Sequence, residues 1–549
     1  MRIPHFPLAA IAAVALARVL PASSAHAASV EKPNFLFIAF DDMADHLGYF
    51  SEEPGNFLQV IYPDPKKRAE IVKRLSPNFD RLAARGTAFM RNYTASPICN
   101  ASRTALLTGI RTHRNGLTDN NQFFRDIEGT RDLVTLPQYL KGQGYFTTGV
   151  GKIFHTSMGR HPDAEHSWSQ WIFRHVGTPE TLVPGYFPHP GLTHFASEGQ
   201  PFGPVTGTTA ECDDYINADF MARLLENGRA KVTDAKDKEV EVVLPDNQPF
   251  FVACGIFRPH YPWMAPKEYT DRFPVEEMTG INDAELQAVI DDLKDLPKTA
   301  LSRTEFNREP VGSTAEFPRM VDIAKKEKIP GGAPAAWRYK IQGYLGAIAF
   351  ADACLGRLLD GYDHSPKKDN TILVVWSDHG MHIGGKYHFG KATLWELATR
   401  CVLIVQDPLV KQPAGERCYH ETNLIDLYPT IATMAGLPVP AGLDGRDISP
   451  LLGNPKRDWS DITWSTWHDH HTIRTPEWRF SRYANGDEEL YDWTKDPFEQ
   501  TNLAAKPTPA VKAKLKEFET MLDKFLTERP RVYRGEIQKR RAGPDDDKS

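Results

Sequence analysis

Unbroken apolar runs, each short and each followed by polar residues, recur along the first 440 positions. Asn34–Phe40 (NFLFIAF) is the first, and it ends in Asp41-Asp42. Such a run predicts a strand buried on both faces, with two carboxylates at its carboxyl end. Pro249–Ile256 (PFFVACGI) and Thr371–Trp376 (TILVVW) repeat the pattern, the latter running into Ser377-Asp378-His379-Gly380, and Cys401–Val405 is a fourth. Tyr145–Val150 reads as a further strand. Between them lie helical patterns. Ser76 with Pro77 opens one that runs to Arg85, a Ser cap with Pro just inside it. Ser102–Leu107 starts another, Leu136–Gln143 is helical, and Arg338–Leu359 spaces its apolar residues at a helical period. Strands alternating with helices predict an α/β fold with a mostly parallel central sheet flanked by helices. Several of these strands end in polar residues, and such sheets place their sites beyond the carboxyl ends of strands.

The pattern changes after a Pro/Gly-rich break, Pro438–Arg446 (PVPAGLDGR). Trp464–Tyr491 alternates short β-like runs with turns such as Asn485-Gly486, and a helix follows over Pro509–Leu526. This predicts a smaller antiparallel β subdomain closed by a helix. At the other end, Arg2 and His5 precede an apolar run, Leu8–Leu20, broken by Arg18 and followed by Ala25-His26-Ala27. That is the pattern of a secretory signal peptide cut after Ala27; the run is too short to span a bilayer core of about 30 Å. The division expected is 1–27 signal peptide, 31–440 catalytic α/β domain, 441–528 β-rich subdomain and 529–549 charged, disordered tail. Residues 51–75, 157–210 and 270–335 read as loop-rich insertions.

With 41% hydrophobic and 25% charged residues, the 549-residue chain has a globular balance. Its formal net charge of -6 argues against nucleic acid or an anionic membrane surface as partner, and no later segment is apolar enough for membrane insertion. An anionic substrate would therefore need a local basic pocket. Six cysteines are too few for a disulfide framework in an exported chain of this size. Cys254 and Cys354 read as small buried hydrophobes, and Cys401 and Cys418 are a candidate pair.

Asp41-Asp42 supplies two hard oxygen ligands suited to Ca²⁺ or Mg²⁺, and Asp378-His379 adds a carboxylate and a nitrogen. Either pair alone is equally a cap or a turn. Cys99 stands in Pro97-Ile98-Cys99-Asn100-Ala101-Ser102-Arg103-Thr104-Ala105-Leu106-Leu107-Thr108-Gly109. This stretch resembles the signature of the formylglycine-dependent sulfatases of the alkaline phosphatase superfamily: Cys or Ser, any residue, Pro or Ala, any residue, Arg, then a Thr-Gly turn. Ala101 is the less common variant at the third position. The resemblance extends over KPNFLFIAFDD, SPNFDRLAARGTAF, VVWSDHG and ELYDWTKDPFEQTNLA. LPQYLKGQGYFTTGVGKIFH, FRPHYPW and QGYLGAIAFADACLGRLL are similar to the iduronate-2-sulfatase branch.

The resemblance implies an alkaline-phosphatase-like fold and a sulfuric ester hydrolase. It implies that Cys99 is oxidised to formylglycine (3-oxoalanine) by a formylglycine-generating enzyme. It implies that Asp41, Asp42, Asp378, His379 and the modified Cys99 surround one Ca²⁺. Arg103 would fix the formylglycine, Lys152 and His155 would hold its hydroxyl and sulfate oxygens, and His260 and Lys391 would contact the ester oxygen and sulfate. Because GGKYHFG departs from the family's Leu-Gly-Glu-His-Gly, Lys386 is the alternative to Lys391. A hydrated aldehyde offers two hydroxyls, one to attack sulfur and one to expel sulfate, and a histidine such as His260 can protonate the departing oxygen. The expected substrate is a sulfated carbohydrate, with 2-O-sulfated uronate favoured, met in a secreted or periplasmic setting. A phosphonate or phosphate monoester hydrolase, and a non-catalytic carbohydrate-binding relative, are the alternatives. His468, His470 and His471 read as a loop or recognition edge rather than a metal patch, and His382 and His388 as pocket lining. Asn92-Tyr93-Thr94 fits a glycosylation sequon.

Overall fold

The apolar runs become the middle of one sheet. The computed structural model describes residues 32–155, 163–174, 202–301, 316–410 and 415–533. Among these, eight strands form the central sheet: β1 Asn34–Asp41, β2 Thr87–Phe89, β3 Phe146–Gly151, β4 Gln170–Ile172, β5 Phe250–Pro259, β6 Thr371–Ser377, β7 Leu403–Gln406 and β8 Arg417–Cys418. Their order is β8-β2-β7-β6-β1-β5-β3-β4. All pair in parallel except β7, which is antiparallel to both neighbours. The mostly parallel sheet is as the sequence led us to expect. The reversed direction of β7, in the expected Cys401–Val405 strand, was not legible, because an apolar run carries no sign of direction.

β1 shows why its run has no polar residue between Asn34 and Asp41. Leu36, Ile38 and Phe40 pack on one face of the sheet and Phe35, Phe37 and Ala39 on the other. The first face is covered by α1 (Pro77–Ala83), by α4 (Asp213–Asn227) and by α5 (Gly332–His364). The second is covered by α2 (Cys99–Thr108), α3 (Leu136–Gly142) and α6 (Leu427–Met434). α5 is longer than its apolar spacing predicted, starting after Gly331 and running to His364.

Beyond the break, β9 (Thr463–Trp467), β10 (His470–Arg474), β11 (Trp478–Arg482) and β12 (Glu488–Asp492) form an antiparallel sheet. Its closing helix, α7 (Pro509–Glu528), buries Leu515, Phe518 and Leu522 against Ile473, Phe480 and Leu490. Thr508 caps α7 through the Val511 amide at 3.3 Å, with Pro509 in its first turn.

Several expectations change. The 51–75 stretch is not a loop: Leu58–Ile61 and Pro65–Leu75 are helical, the latter capped by Asp64. Within 270–335, Asp283–Asp291 and Glu316–Lys326 are helices. Asp64 caps Pro65–Leu75 and Asn282 caps Asp283–Asp291, and such short helices depend on packing for their stability, so periodicity alone hides them. Cys401 and Cys418 are free, buried thiols rather than a pair. Asn92 is buried, with its amide against Cys401 Sγ at 3.3 Å, which removes the sequon from the surface. The tail begins with held residues: Arg529 pairs with Asp444 at 2.9 Å, and the Val532 amide donates to Arg114 O. The expected signal peptide, and the tail from 534 on, lie outside the described residues. No described helix is long and apolar enough to cross a membrane.

Candidate active site

Four adjacent strands, β6, β1, β5 and β3, each end in a residue singled out from the sequence. Ser377 of β6 pairs in register with Phe40 of β1, and Asp41 lies opposite Pro259 of β5. β6 therefore delivers Asp378-His379, β1 Asp41-Asp42, β5 His260 and β3 Lys152 to one sheet edge. Two glycines make the last step possible. A Cβ on Gly255 would lie 2.2–2.3 Å from the Lys152 backbone, and one on Gly151, itself at φ +77°, would lie 2.0 Å from Gly255 O. Only bare backbone lets the chain turn into Lys152 beside β5.

Cys99 enters from above as the first residue of α2, every residue of which is buried. Its Sγ lies 3.4 Å from His379 Nε2, 4.0 Å from Asp42 Oδ1 and 2.9 Å from Lys391 Nζ. Lys391 Nζ also pairs with Asp42 Oδ1 at 2.5 Å. One ligand atom from each of Asp41, Asp42, Cys99 and His379 falls within 4.8 Å of the others. Asp378 adjoins them, its Oδ1 3.6 Å from His379 Nε2. Asp42 Oδ2 is buried and has no hydrogen-bond partner among the described residues. Three carboxylates with one such orphaned oxygen fit a hard divalent cation.

Arg103, four positions along α2, braces the floor. Its Nε donates to Asp378 Oδ2 at 2.9 Å and its Nη2 to Asp41 Oδ1 at 3.2 Å. Its Nη1 donates to the carbonyls of Lys152 and Ile153 at 2.6 and 3.1 Å. Lys152 Nζ closes on Asp41 Oδ2. His260 Nε2 faces Asp41 and Asp42 at 4.0 and 3.9 Å, while its Nδ1 donates to Tyr261 O. His379 likewise spends its Nδ1 proton on Gly380 O at 2.8 Å, which turns Nε2 inward. His155 adjoins the thiol.

The charges set one another. Burial would raise Asp41, but Lys152, His260 and Arg103 outweigh it and hold the carboxyl well below the usual range. Burial pushes Asp378 up to about 8, against Arg103 and with help from the Asp41 charge. Burial and Asp41 oppose ionisation of Cys99, yet Lys391, Lys152 and His379 pull its thiol well below the ordinary value. Burial disfavours a charged His379, but Asp378 brings it up to about 9. Burial lowers His155.

Lys386 goes elsewhere. It pairs with Asp292 at 2.9 Å and lies over the Trp395 and Tyr491 rings. His382 and His388 are loop braces rather than pocket lining: His388 Nε2 donates to Lys391 O at 3.0 Å, and His382 bridges Gly385 O and Thr393 Oγ1. His470 and His471 are held in the β9–β10 hairpin, by the Ala484 amide and by Thr466. The supports were not read from the sequence. Asp42 sits at φ +61°, and Tyr344 of α5 holds that turn by donating to Asp42 O at 2.7 Å. Ser377 Oγ accepts the Met43 amide and Ser102 Oγ donates to Asp378 O. Each is an ordinary residue type in a helix or strand, without a spacing that marks it.

Comparison with known proteins accords with this geometry. A family model described as Sulfatase matches residues 33–437, and one described as N-sulphoglucosamine sulphohydrolase, C-terminal, matches 384–525. A sulfatase of Formosa agariphila is 30% identical over 496 residues, covering 86% of this chain and 83% of that protein. Human iduronate 2-sulfatase is 26% identical over 439 residues, covering 74% and 70%. The fold is also that of a phosphonate monoester hydrolase of Agrobacterium radiobacter (TM-score 0.61, 19% identity, 91% and 96% covered).

Proposed function

The chain belongs to the sulfatase family and is a sulfuric ester hydrolase, and from that premise we propose that it is exported and removes sulfate from carbohydrate. The favoured substrate is a 2-O-sulfated uronate such as iduronate-2-sulfate at a chain end, in line with the human relative's name. The nucleophile is formylglycine made from Cys99 by a formylglycine-generating enzyme. The observation that carries this is the thiol at the start of α2, 2.9 Å from Lys391 and within 4.8 Å of one ligand atom each of Asp41, Asp42 and His379. On this reading residues 1–27 are removed on export, 31–440 carry the site and 441–528 brace it.

A sulfate monoester is negative and repels nucleophiles. Lys391 and Lys152 supply positive charge where the sulfate oxygens gather charge in the transition state. Asp41, Asp42, Asp378, His379 and the modified Cys99 are the residues that would hold one Ca²⁺, which when bound offsets further charge on the ester. The hydrated aldehyde supplies the attacking hydroxyl and the second hydroxyl that releases sulfate. Arg103 fixes Asp41 and Asp378 relative to α2, so nucleophile and carboxylates keep one geometry. His260 presents Nε2 to the leaving oxygen and gives it a proton as the S–O bond breaks. His155 holds the nucleophile's hydroxyl. The sum is ester plus water to alcohol, sulfate and a proton.

The test is sulfate release from a panel of defined sulfated oligosaccharides, with nitrophenyl sulfate and nitrophenyl phosphonate esters alongside. The proposal expects terminal 2-O-sulfated uronate to be cleaved with the highest kcat/KM. Preference for another sulfated position would overturn the substrate, and preference for the phosphonate would overturn the reaction.

A further inference from the structure

We propose that Arg258 and Asp214 are positioning residues for His260, fixing the angle at which its Nε2 meets the leaving oxygen; this rests on the reading of His260 as the proton donor. Asp214, in the first turn of α4, is buried, and its two carboxylate oxygens accept the Phe257 and Arg258 amides at 2.8 and 2.9 Å. The end of β5 is thereby tied to α4, one of the helices that cover the sheet's first face. Arg258 is itself 1% exposed. Its Nη1 donates to His260 O at 2.5 Å and to Pro262 O at 2.7 Å, clasping both ends of the turn that carries the imidazole. The His260 amide donates to Phe257 O at 3.0 Å, and the two rings lie 4.5 Å apart.

These contacts leave His260 little freedom. Its backbone is held on both sides, its Nδ1 is committed to Tyr261 O, and its ring packs at a tilt of 41° against Phe257. What remains is Nε2, turned to Asp41 and Asp42. Packing does not explain the guanidinium. Nη1 is spent on turn carbonyls, Nη2 is buried with no hydrogen-bond partner among the described residues, and an apolar side chain would fill the space without desolvating a charge. Both carbonyls are reached by the one nitrogen Nη1, which the planar guanidinium holds in a fixed direction, whereas the freely rotating ammonium of Lys is not so held.

Leaving-group dependence tests this. A sugar alkoxide needs a proton as it departs, whereas a nitrophenolate does not. His260→Ala, Arg258→Gln and Arg258→Lys are compared with the unaltered enzyme on a sugar sulfate and on aryl sulfates of rising leaving-group basicity. For Arg258→Gln we expect kcat on the sugar sulfate to fall about 100-fold or more, with KM held and the nitrophenyl ester nearly unaffected. His260→Ala should show the same pattern, the double variant should lose no more than His260→Ala, and Arg258→Lys should recover part of the loss. Uniform loss on all esters in Arg258→Gln, or full sugar-sulfate activity there while His260→Ala is selective, overturns the positioning role. Uniform loss in His260→Ala overturns the reading of His260 itself and takes the inference with it. If Arg258→Gln does not fold, Asp214→Asn carries the same test with the same outcomes.

Discussion

Lys386 and Lys391 occupy one loop, yet they end in different chemistry. Lys391 Nζ lies 2.9 Å from Cys99 Sγ, whereas Lys386 neutralises buried Asp292. Lys391→Ala should therefore lower kcat about 100-fold or more, and because it also leaves Asp42 without its ion-pair partner it should lower Tm as well. Lys386→Met should spare kcat but cost about 3 kcal/mol of stability, because the Asp292 carboxylate, whose side chain is 7% exposed, is left unpaired. Steady-state kinetics beside thermal melts separate the two, and equal kinetic losses would refute the assignment. The orphaned Asp42 Oδ2 argues for a cation. Chelation should abolish turnover and lower Tm, and Ca²⁺ should restore both. Unchanged activity and Tm after exhaustive chelation would remove the metal from the account. At this scale the sequence was legible where residues stand in a recognisable spacing, as Cys99 and Arg103 do. Tyr344 and Arg258 were not, because a role exercised through another residue's backbone leaves no spacing to read.

Strand ends did most of the assembly that the site needs. The carboxyl ends of β6, β1, β5 and β3 were readable as apolar runs meeting polar residues, but their adjacency was not, since neighbours in the sheet are distant in sequence. The closeness of β3 to β5 depends on Gly255, where a Cβ would meet the Lys152 backbone at 2.2 Å. Gly255→Ala must push the two strands apart. It should cost about 3 kcal/mol of stability and lower activity sharply even in the molecules that fold. Near-native kcat in this variant would show that Lys152 does not need its present place. The glycine could have been flagged in ACGIF as an interruption of a buried strand, which marks close backbone approach.

Across the whole molecule, the antiparallel sheet grips the loop that carries Lys391. Arg479 of β11 pairs with Glu396 and Glu499 and donates to Leu394 O at 3.0 Å, and Arg474 of β10 donates to Glu396 at 3.2 Å. Tyr93 Oη donates to the same Glu396 at 3.0 Å. Burial would raise Glu396, but Arg474, Arg479 and Arg400 hold it well below the usual range. A depressed folded pKa stabilises above the unfolded value of about 4.3, and that stability is lost as pH falls below it. Tm should thus drop on acidification through that window, and Glu396→Gln should flatten the acid limb while lowering Tm at neutral pH. An unchanged acid limb would mean that the network does not carry the coupling. The subdomain itself was readable from its alternating runs; its ionic grip was not, because charged residues in strands look like solvent-facing positions until the partner surface is known. All of this serves one side chain, so the most direct measurement is the mass of the tryptic peptide Asn92–Arg103 in enzyme with measured sulfatase turnover. The account predicts that this peptide carries an aldehyde in place of the Cys99 thiol, in a fraction that tracks turnover across preparations. Full turnover with an intact thiol in every peptide would contradict it.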